Sequence, residues 1–439
     1  MSRVGRLGRR LALLAPLLAV TMLFRSSQNM AQTTLSILGH ERLHLSPGAI
    51  GATMAGSALC GVLSSVLWAP RVRPHRRAPA VGAALVMVAV ALVVFGTVSD
   101  TAELAVAAVL LGVGGGLAMP TLMTLAGSRE GSARGSGAER QRDRDLALYT
   151  MALSASLAIG PLVEAFVLRV SGQQLTAAYL VFAAFPVAAI VVLWIWRLHP
   201  DPPRHTDGRA GAIGTVLSGV GEGELPAGAG VPAGAQAKGR PRTRFWPGAY
   251  REIAGNRAWR AAVIGMLIYQ VPFIAIVTFA GSMARVVDGA SPATAEVAFG
   301  VFFATSLTAR GWAAWRAPIV RKTGALWLSA LLTVAGLLVL SLGHGIAWLV
   351  LAMAVMGIPH GIVFPVVLSM VAGGTDPEQL ALANATFLAI VSLVAVVMPT
   401  ILGALISAYG YRATMLLVLV PVIGFSALLG LPRDEGVRV

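Results

Sequence analysis

Apolar runs of about 20 residues recur along the chain between polar turns, which predicts twelve membrane-spanning helices. The predicted spans are 11–38, 47–69, 79–98, 102–126, 146–169, 175–197, 259–284, 293–315, 324–343, 346–372, 379–408 and 411–430. Two connections are long: 127–145 is polar, and 198–258 is rich in Gly, Ala and Pro, which is typical of a disordered linker. The predicted fold is all-α and polytopic, with six-helix bundles in residues 1–197 and 259–439.

A polar stripe runs along the first predicted span. Its members recur at helical spacing and are Thr21, Arg25, Gln28, Asn29, Gln32 and Ser36. Because polar groups are costly against lipid, this face is expected to line a polar path between helices. Arg25, near the middle, is the candidate anchor for an anionic substrate group, and Gln28, Asn29 and Gln32 are further candidate binding residues. The alternative for Arg25 is a packing role, with its charge neutralised by a carboxylate.

Composition and charge placement favour a membrane protein over a soluble one. The chain has 439 residues, of which 56% are hydrophobic and only 12% charged, and its mean hydropathy is +0.76. The predicted spans place 28 of the 34 Lys and Arg residues on one side and four on the other. This asymmetry predicts cytoplasmic N- and C-termini, and it accounts for the net charge of +15 without a nucleic-acid partner. Arginine and aromatic residues in 240–260 predict contact with anionic lipids at the cytoplasmic face.

The two halves of the chain repeat each other. Gly112, Gly116 and Pro120 in the fourth span recur 245 positions later in the tenth. Such matches arise in chain order and indicate a parallel duplication of six helices. The residues expected to let helices flex or approach closely are Gly112, Gly116, Pro120, Pro161, Gly357, Gly361 and Pro365.

With twelve spans in two halves and basic turns after the second and eighth, the chain resembles the major facilitator superfamily of secondary transporters. Basic residues follow the second span at Arg71, Arg73, Arg76 and Arg77, although Pro70 stands where the family motif has an aspartate. Gly160-Pro161 is similar to part of a motif associated with exporters. The resemblance implies alternating access by a multi-pass protein of the cytoplasmic membrane, with a small-molecule substrate and no enzymatic activity. We expect a monomer without cofactor or metal.

Titratable groups inside the spans are candidates for proton coupling. Glu164 is interpreted as the only acid inside any span, and it either pairs with Arg25 or carries a proton. His360, at the midpoint of the tenth span, is a candidate for both proton coupling and substrate binding. Tyr269, which aligns with Arg25 across the repeat, and Gln270 are expected to form the opposite wall of a binding cavity.

One motif favours a different class of protein. His40, Glu41 and His44 match H-E-x-x-H, which on a helix holds zinc in metalloproteases, so an intramembrane protease is a remote alternative.

The sequence favours proton-coupled efflux of an amphipathic or anionic compound by an antiporter. Uptake of a small organic anion at Arg25 is the alternative within transport, and a transporter-shaped sensor or scaffold is a third possibility.

Overall fold

The computed structural model describes residues 3–128, 136–197, 247–316, 321–375 and 379–430. Within these ranges the chain forms fourteen α-helices and two short 3-10 turns, with no strand. The helices are α1 (Arg3–Glu41), α2 (Pro47–Leu67), α3 (Arg77–Thr97), α4 (Thr101–Ser128), α5 (Ser136–Val170), α6 (Leu175–Arg197), α7 (Pro247–Gly255), α8 (Arg257–Val286), α9 (Pro292–Arg316), α10 (Lys322–Leu342), α11 (Ile346–Gly374), α12 (Leu380–Tyr409), α13 (Tyr411–Leu417) and α14 (Leu419–Gly430).

The observed helices follow the predicted spans closely, with four differences. Helix α1 begins at Arg3 rather than at residue 11, and helix α7 forms at Pro247–Gly255, inside the predicted linker 198–258. The connection predicted as 127–145 is shorter, because α5 already begins at Ser136. The last predicted span is divided into α13 and α14 at Val418. The predicted linker lies outside the described residues from 198 to 246, as do 129–135, 317–320, 376–378 and 431–439.

Ten helical segments among the described residues are long and apolar enough to cross a membrane. Two further long helices, α1 and α9, carry several polar residues. Helix α1 carries the polar stripe and Pro16, while α9 carries Glu296, Arg310 and several hydroxyl side chains. Many of their polar residues are buried, among them Asn29, Thr33 and Thr34 of α1 and Glu296 of α9, as expected for helices that face the inside of a bundle.

Two hydrophobic cores correspond to the two halves of the chain. One core is built almost entirely from residues between Leu17 and Leu193, and the other mainly from residues between Ile253 and Leu429. The halves meet where α2 packs on α12, α5 on α9 and α1 on α8. In the repeat α2 corresponds to α9 and α5 to α12, so the α2–α12 and α5–α9 contacts are equivalent. This supports the predicted duplication and places α1 and α8 at the centre.

Glycines let helices within each half approach to backbone contact. A Cβ on Gly112 would lie 2.2 Å from the carbonyl oxygen of Ser57, and one on Gly357 would lie 2.2 Å from that of Phe302. Both residues of the second pair are 245 positions beyond those of the first. The same offset relates the contacts of Gly116 and Gly361 with α2 and α9. The repeat therefore preserves helix contacts as well as sequence.

Candidate functional site

Two glutamates from different halves meet inside the protein. Glu164 of α5 and Glu296 of α9 are both fully buried, and their carboxyl groups lie within hydrogen-bonding contact of each other. Thr34 of α1 donates a hydrogen bond to Glu164 and lies 3.4 Å from the Glu296 Oε1 atom. Thr33 Oγ1 is 3.2 Å from Glu296 Oε2. We call these four residues the carboxyl cluster.

The carboxyl cluster corrects two interpretations of the sequence. Glu164 is not the only acid inside a span, because Glu296 lies within the predicted span 293–315 and is buried. The suggested pairing of Glu164 with Arg25 is also wrong, since the partners of Glu164 are Thr34 and Glu296. Arg25 and Thr34 are nine residues apart on α1, about 13 Å along a helix that rises 1.5 Å per residue.

A buried hydroxyl group lies near the carboxyl cluster. Tyr179 of α6 is fully buried, its ring packs 5.6 Å from that of Phe95, and it lies within electrostatic range of both glutamates. Among the described residues, no N–H or O–H group donates a hydrogen bond to Glu164 Oε2, and Tyr179 Oη has no hydrogen-bond partner. A proton on Glu164 Oε2 would supply the donor that the adjacent Glu296 carboxylate can accept.

Further contacts between the halves surround the carboxyl cluster at the end of the bundle where α1 passes into α2, which we call the α1–α2 end. Glu41 forms an ion pair with Arg285. The side chain of Gln173 accepts a hydrogen bond of 3.0 Å from the backbone N–H of Ala293. Gly51 of α2 packs directly on the backbone of Pro399 in α12. The two halves are therefore closed against each other at this end.

A cavity of about 100 Å³ lies between the halves. Its walls come from α1, α2, α3 and α4 of the first half and from α8 and α12 of the second. The polar side chains in its lining are Gln28, Gln32, Ser57 and Thr278. The cavity lies where the polar stripe of α1 is expected to face other helices.

The residues of the polar stripe have different surroundings. Gln28 and Gln32 line the cavity, and Arg25 Nη1 donates a hydrogen bond of 3.0 Å to Gln28 Oε1. The Gln28 amide packs where a Cβ at Gly115 would otherwise stand, 2.3 Å from Nε2. Asn29 is buried and donates to the Leu157 carbonyl at 3.2 Å, which ties α1 to α5.

The residues expected on the opposite wall lie behind the cavity. His360 is buried and stacks on Phe273, with ring centres 4.6 Å apart, while Tyr269, Phe302 and Phe303 surround it. Phe273 lines the cavity, whereas His360, Tyr269 and Gln270 are not among its lining residues. Their substrate-binding roles, and proton coupling by His360, remain predictions.

Further residues make contacts between helices or lie inside them. Gly160 packs against the backbone of Ser26, whose hydroxyl donates to the Ser156 carbonyl at 3.1 Å. Pro120, Pro161 and Pro365 lie inside α4, α5 and α11, where their effect on flexing remains a prediction. Arg310 Nη1 donates to Ser154 Oγ across the two halves at 3.1 Å.

The H-E-x-x-H motif does not form a helical zinc site. Helix α1 ends at Glu41, and His44 lies beyond it with a positive φ of 49°, so the two histidines do not share a helical face. Glu41 is engaged by Arg285. No group of three or more potential metal ligands occurs among the residues that the structure describes.

The two halves, the cavity between them and the buried cluster at their junction define a multi-pass membrane transport protein rather than an enzyme. The chain belongs to the Major Facilitator Superfamily, whose family model matches residues 14–286 and 288–439. A comparison with curated protein sequences finds no match.

Solved structures of other transporters share the fold. A bacterial homologue of the human lysosomal transporter Spinster, in an inward-facing and unoccupied conformation, superposes with a TM-score of 0.69 at 14% identity over 96% of both chains. The nucleoside transporter NupG gives 0.68 at 14% identity, over 96% of this chain and all of that one. A POT family transporter in complex with 5-aminolevulinic acid gives 0.68 at 11% identity over 95% of both chains. At these identities the likeness establishes the fold alone.

Proposed function

We propose that the protein exports a small amphipathic solute across the cytoplasmic membrane in exchange for protons. The observation that carries this proposal is the buried contact between Glu164 and Glu296, one from each half. Secondary transporters work by moving two such halves against each other. A titratable pair that exists only when the halves are together provides a direct link between proton binding and that movement.

The physical basis of the link is charge repulsion in a place without water. Two carboxylates in contact repel each other, and burial removes the hydration that would otherwise stabilise both charges. One bound proton removes the repulsion and supplies a hydrogen bond between the carboxyl groups. The hydroxyl groups of Thr33 and Thr34 stabilise the remaining charge. Separation of α5 from α9 would hydrate both groups, which could then exchange protons with the water on the side that opens.

The proposed export cycle uses the predicted topology. Cytoplasmic termini put the α1–α2 end outside, so the closed contacts of Glu41 with Arg285 and of Gln173 with Ala293 seal the outer side. A proton arriving from outside would bind as the outer side closes. While the outer side is closed, the pair would lose that proton to the cytoplasmic side as a solute binds there. The two carboxylates would then repel each other, so the outer side would open and the solute would leave.

One observation favours uptake of an organic anion as a second candidate. Arg25 lies one helical turn from Gln28, a residue of the cavity wall, so a small rearrangement would bring its positive charge to a bound anion. In that case the solute and the proton would move in the same direction.

A proton-gradient assay tests the proposal with a panel of solutes. Inverted membrane vesicles are energised, the gradient is followed with a pH-sensitive fluorescent dye, and benzamide, benzoate, benzamidine and a wider range of solutes are added in turn. We expect at least one solute to dissipate the gradient in vesicles with the wild-type protein. The response should disappear in the Glu164→Gln/Glu296→Gln double variant.

The exposed glutamate Glu252 provides the matched control. It contacts Gln379 at the surface, so Glu252→Gln should leave the response unchanged. A solute response that persists in the double variant would refute proton coupling by the carboxyl cluster. Solute-dependent strengthening of the proton gradient would instead indicate co-transport, as in the uptake alternative.

A further inference from the structure

The lining of the cavity is uncharged and contains four polar side chains. None of its lining residues carries a charge, and its hydrogen-bonding side chains are two amides and two hydroxyls: Gln28, Gln32, Ser57 and Thr278. An ion leaving water for such a site loses hydration without gaining a counter-charge. A neutral molecule with hydrogen-bonding groups avoids that cost, so the composition of the wall favours an uncharged ligand.

The orientation of Gln28 narrows the chemistry further. Its carbonyl oxygen accepts from Arg25, so the donors left for a ligand are on the NH₂ group, which packs beside Gly115 but is not among the buried unpaired atoms of the described residues. Arg25 thus holds the amide in one orientation instead of contacting the ligand. The complementary ligand group is a hydrogen-bond acceptor such as an amide, ketone or hydroxyl oxygen.

Gln32 provides a second amide one turn further along the same face of α1. Among the described residues its side chain makes no hydrogen bond. It lines the cavity, and neither of its polar atoms is buried without a partner. Gln32 can therefore both donate to and accept from a ligand. An amide, which carries both kinds of group, matches this pair better than a group that only accepts.

Aromatic side chains form other parts of the wall. Phe95 of α3 and Phe273 of α8 line the cavity from different halves, and both are held by other rings, Tyr179 and His360. Rings held in this way offer faces for stacking against a flat ligand. Leu35, Met54 and Leu111 add apolar surface.

We infer that the cavity binds an uncharged solute with an amide-like hydrogen-bonding group attached to an apolar, preferably aromatic, body. This inference rests on the proposed transport function and specifies the substrate class. It selects the neutral amphipathic ligand over the organic anion, and it makes Arg25 a positioning residue for Gln28.

Three probes of the same shape separate the possibilities. Benzamide, benzoate and benzamidine share one ring and a planar substituent of similar size, but are neutral, anionic and cationic. Ligand binding to the folded state raises the melting temperature by an amount that grows with the logarithm of ligand concentration over Kd, so thermal shift of the purified full-length protein reports binding without transport. We expect benzamide to bind at least about tenfold more tightly than either ion, a difference of about one decade in Kd.

Substitutions at Gln32 test whether binding occurs in this cavity. Gln32→Leu keeps the approximate side-chain size and should abolish the benzamide shift, while Gln379→Leu, the same change at the protein surface, should leave it intact. Gln32→Glu should transfer the preference to benzamidine, because it places a negative charge in the wall. This second variant decides the matter if Gln32→Leu does not fold.

Several results would overturn the inference. One is tighter binding of benzoate than of benzamide, and loss of that benzoate binding in Arg25→Gln would show that Arg25 contacts the anion. Another is a benzamide shift that survives Gln32→Leu. A third is the absence of any shift with all three probes. None of them depends on the glutamates. A failed binding test is thus separate from a failed proton-gradient test, which concerns the Glu164→Gln/Glu296→Gln variant.

Discussion

Glu164 of α5 and Glu296 of α9 lie in hydrogen-bonding contact, although they belong to different halves of the chain. Their contact is buried and is completed by two threonines of α1. Three helices from both halves thus meet at one titratable pair. Any movement that separates α5 from α9 must break this contact, so under the proposed function its protonation determines which conformation is stable.

Single substitutions of the two glutamates should each uncouple transport. Glu164→Gln or Glu296→Gln leaves one carboxyl group with a neutral partner, so loss of the proton no longer creates the repulsion that separates α5 from α9. We expect solute-driven proton flux in inverted vesicles to fall at least about tenfold, the effect of roughly 1.4 kcal/mol. Binding of benzamide should persist, because neither residue lines the cavity. Equal flux in wild type and both variants would contradict this assignment.

The two threonines should differ in importance. The Thr34 hydroxyl has only the two glutamates as partners among the described residues, whereas the Thr33 hydroxyl also contacts the carbonyls of Asn29 and Met30 at 3.3 and 3.2 Å. Thr34→Val should therefore destabilise the closed α1–α2 end by about 1–3 kcal/mol, the loss of a buried hydrogen bond. Thr33→Val should have a smaller effect. Spin-label distances across this end measure both, and equal effects would argue against the difference.

Close helix contacts at glycine predict a stability effect in α4. In Gly112→Ala the new methyl group would lie 2.2 Å from the Ser57 carbonyl oxygen, so α4 and α2 must separate. We expect destabilisation of about 1–3 kcal/mol, typical of overpacking, and a lower melting temperature in detergent. Gly82→Ala in α3 is the matched control, since a Cβ there meets nothing within 4 Å. A Gly112→Ala protein as stable as this control would refute the contact.

The ion pair at the α1–α2 end should contribute modestly. The side chains of Glu41 and Arg285 are 28% and 31% exposed, so solvent screens their attraction and its contribution is about 0.2–1 kcal/mol. Glu41→Gln should shift the closed population up to about fivefold toward the open one. High ionic strength should shift wild type in the same direction and leave Glu41→Gln nearly unchanged. A salt response of equal size in both proteins would exclude the pair as its cause.

Much of the fold could be predicted because it depends on local pattern. Span bounds followed from the apolar runs, and the repeat of Gly112 at Gly357 anticipated equivalent helix contacts. The positions of Gln28 and Gln32 on the cavity wall were accessible from the helical spacing of the first span.

The carboxyl cluster depends on contacts distant in sequence, and sequence reasoning missed half of it. Glu296 lies four residues into a predicted span, which should have indicated a buried acid. Its partner could not be found from spacing, because the contact with Glu164 depends on how α5 packs against α9. The surroundings of His360 also depend on packing between helices. Its position at the midpoint of a span suggested that it would line the cavity, but aromatic rings enclose it behind Phe273.

The most direct test of proton-linked closure is the distance across the α1–α2 end as a function of pH. Spin labels at Val170→Cys and Val286→Cys, both exposed positions, can be introduced after Cys60→Ala removes the free cysteine. In lipid nanodiscs, acidic buffer should give a single short distance and alkaline buffer a growing longer one. The Glu164→Gln/Glu296→Gln double variant should remain at the short distance throughout. A wild-type distance independent of pH, or a double variant that still responds, would contradict the account.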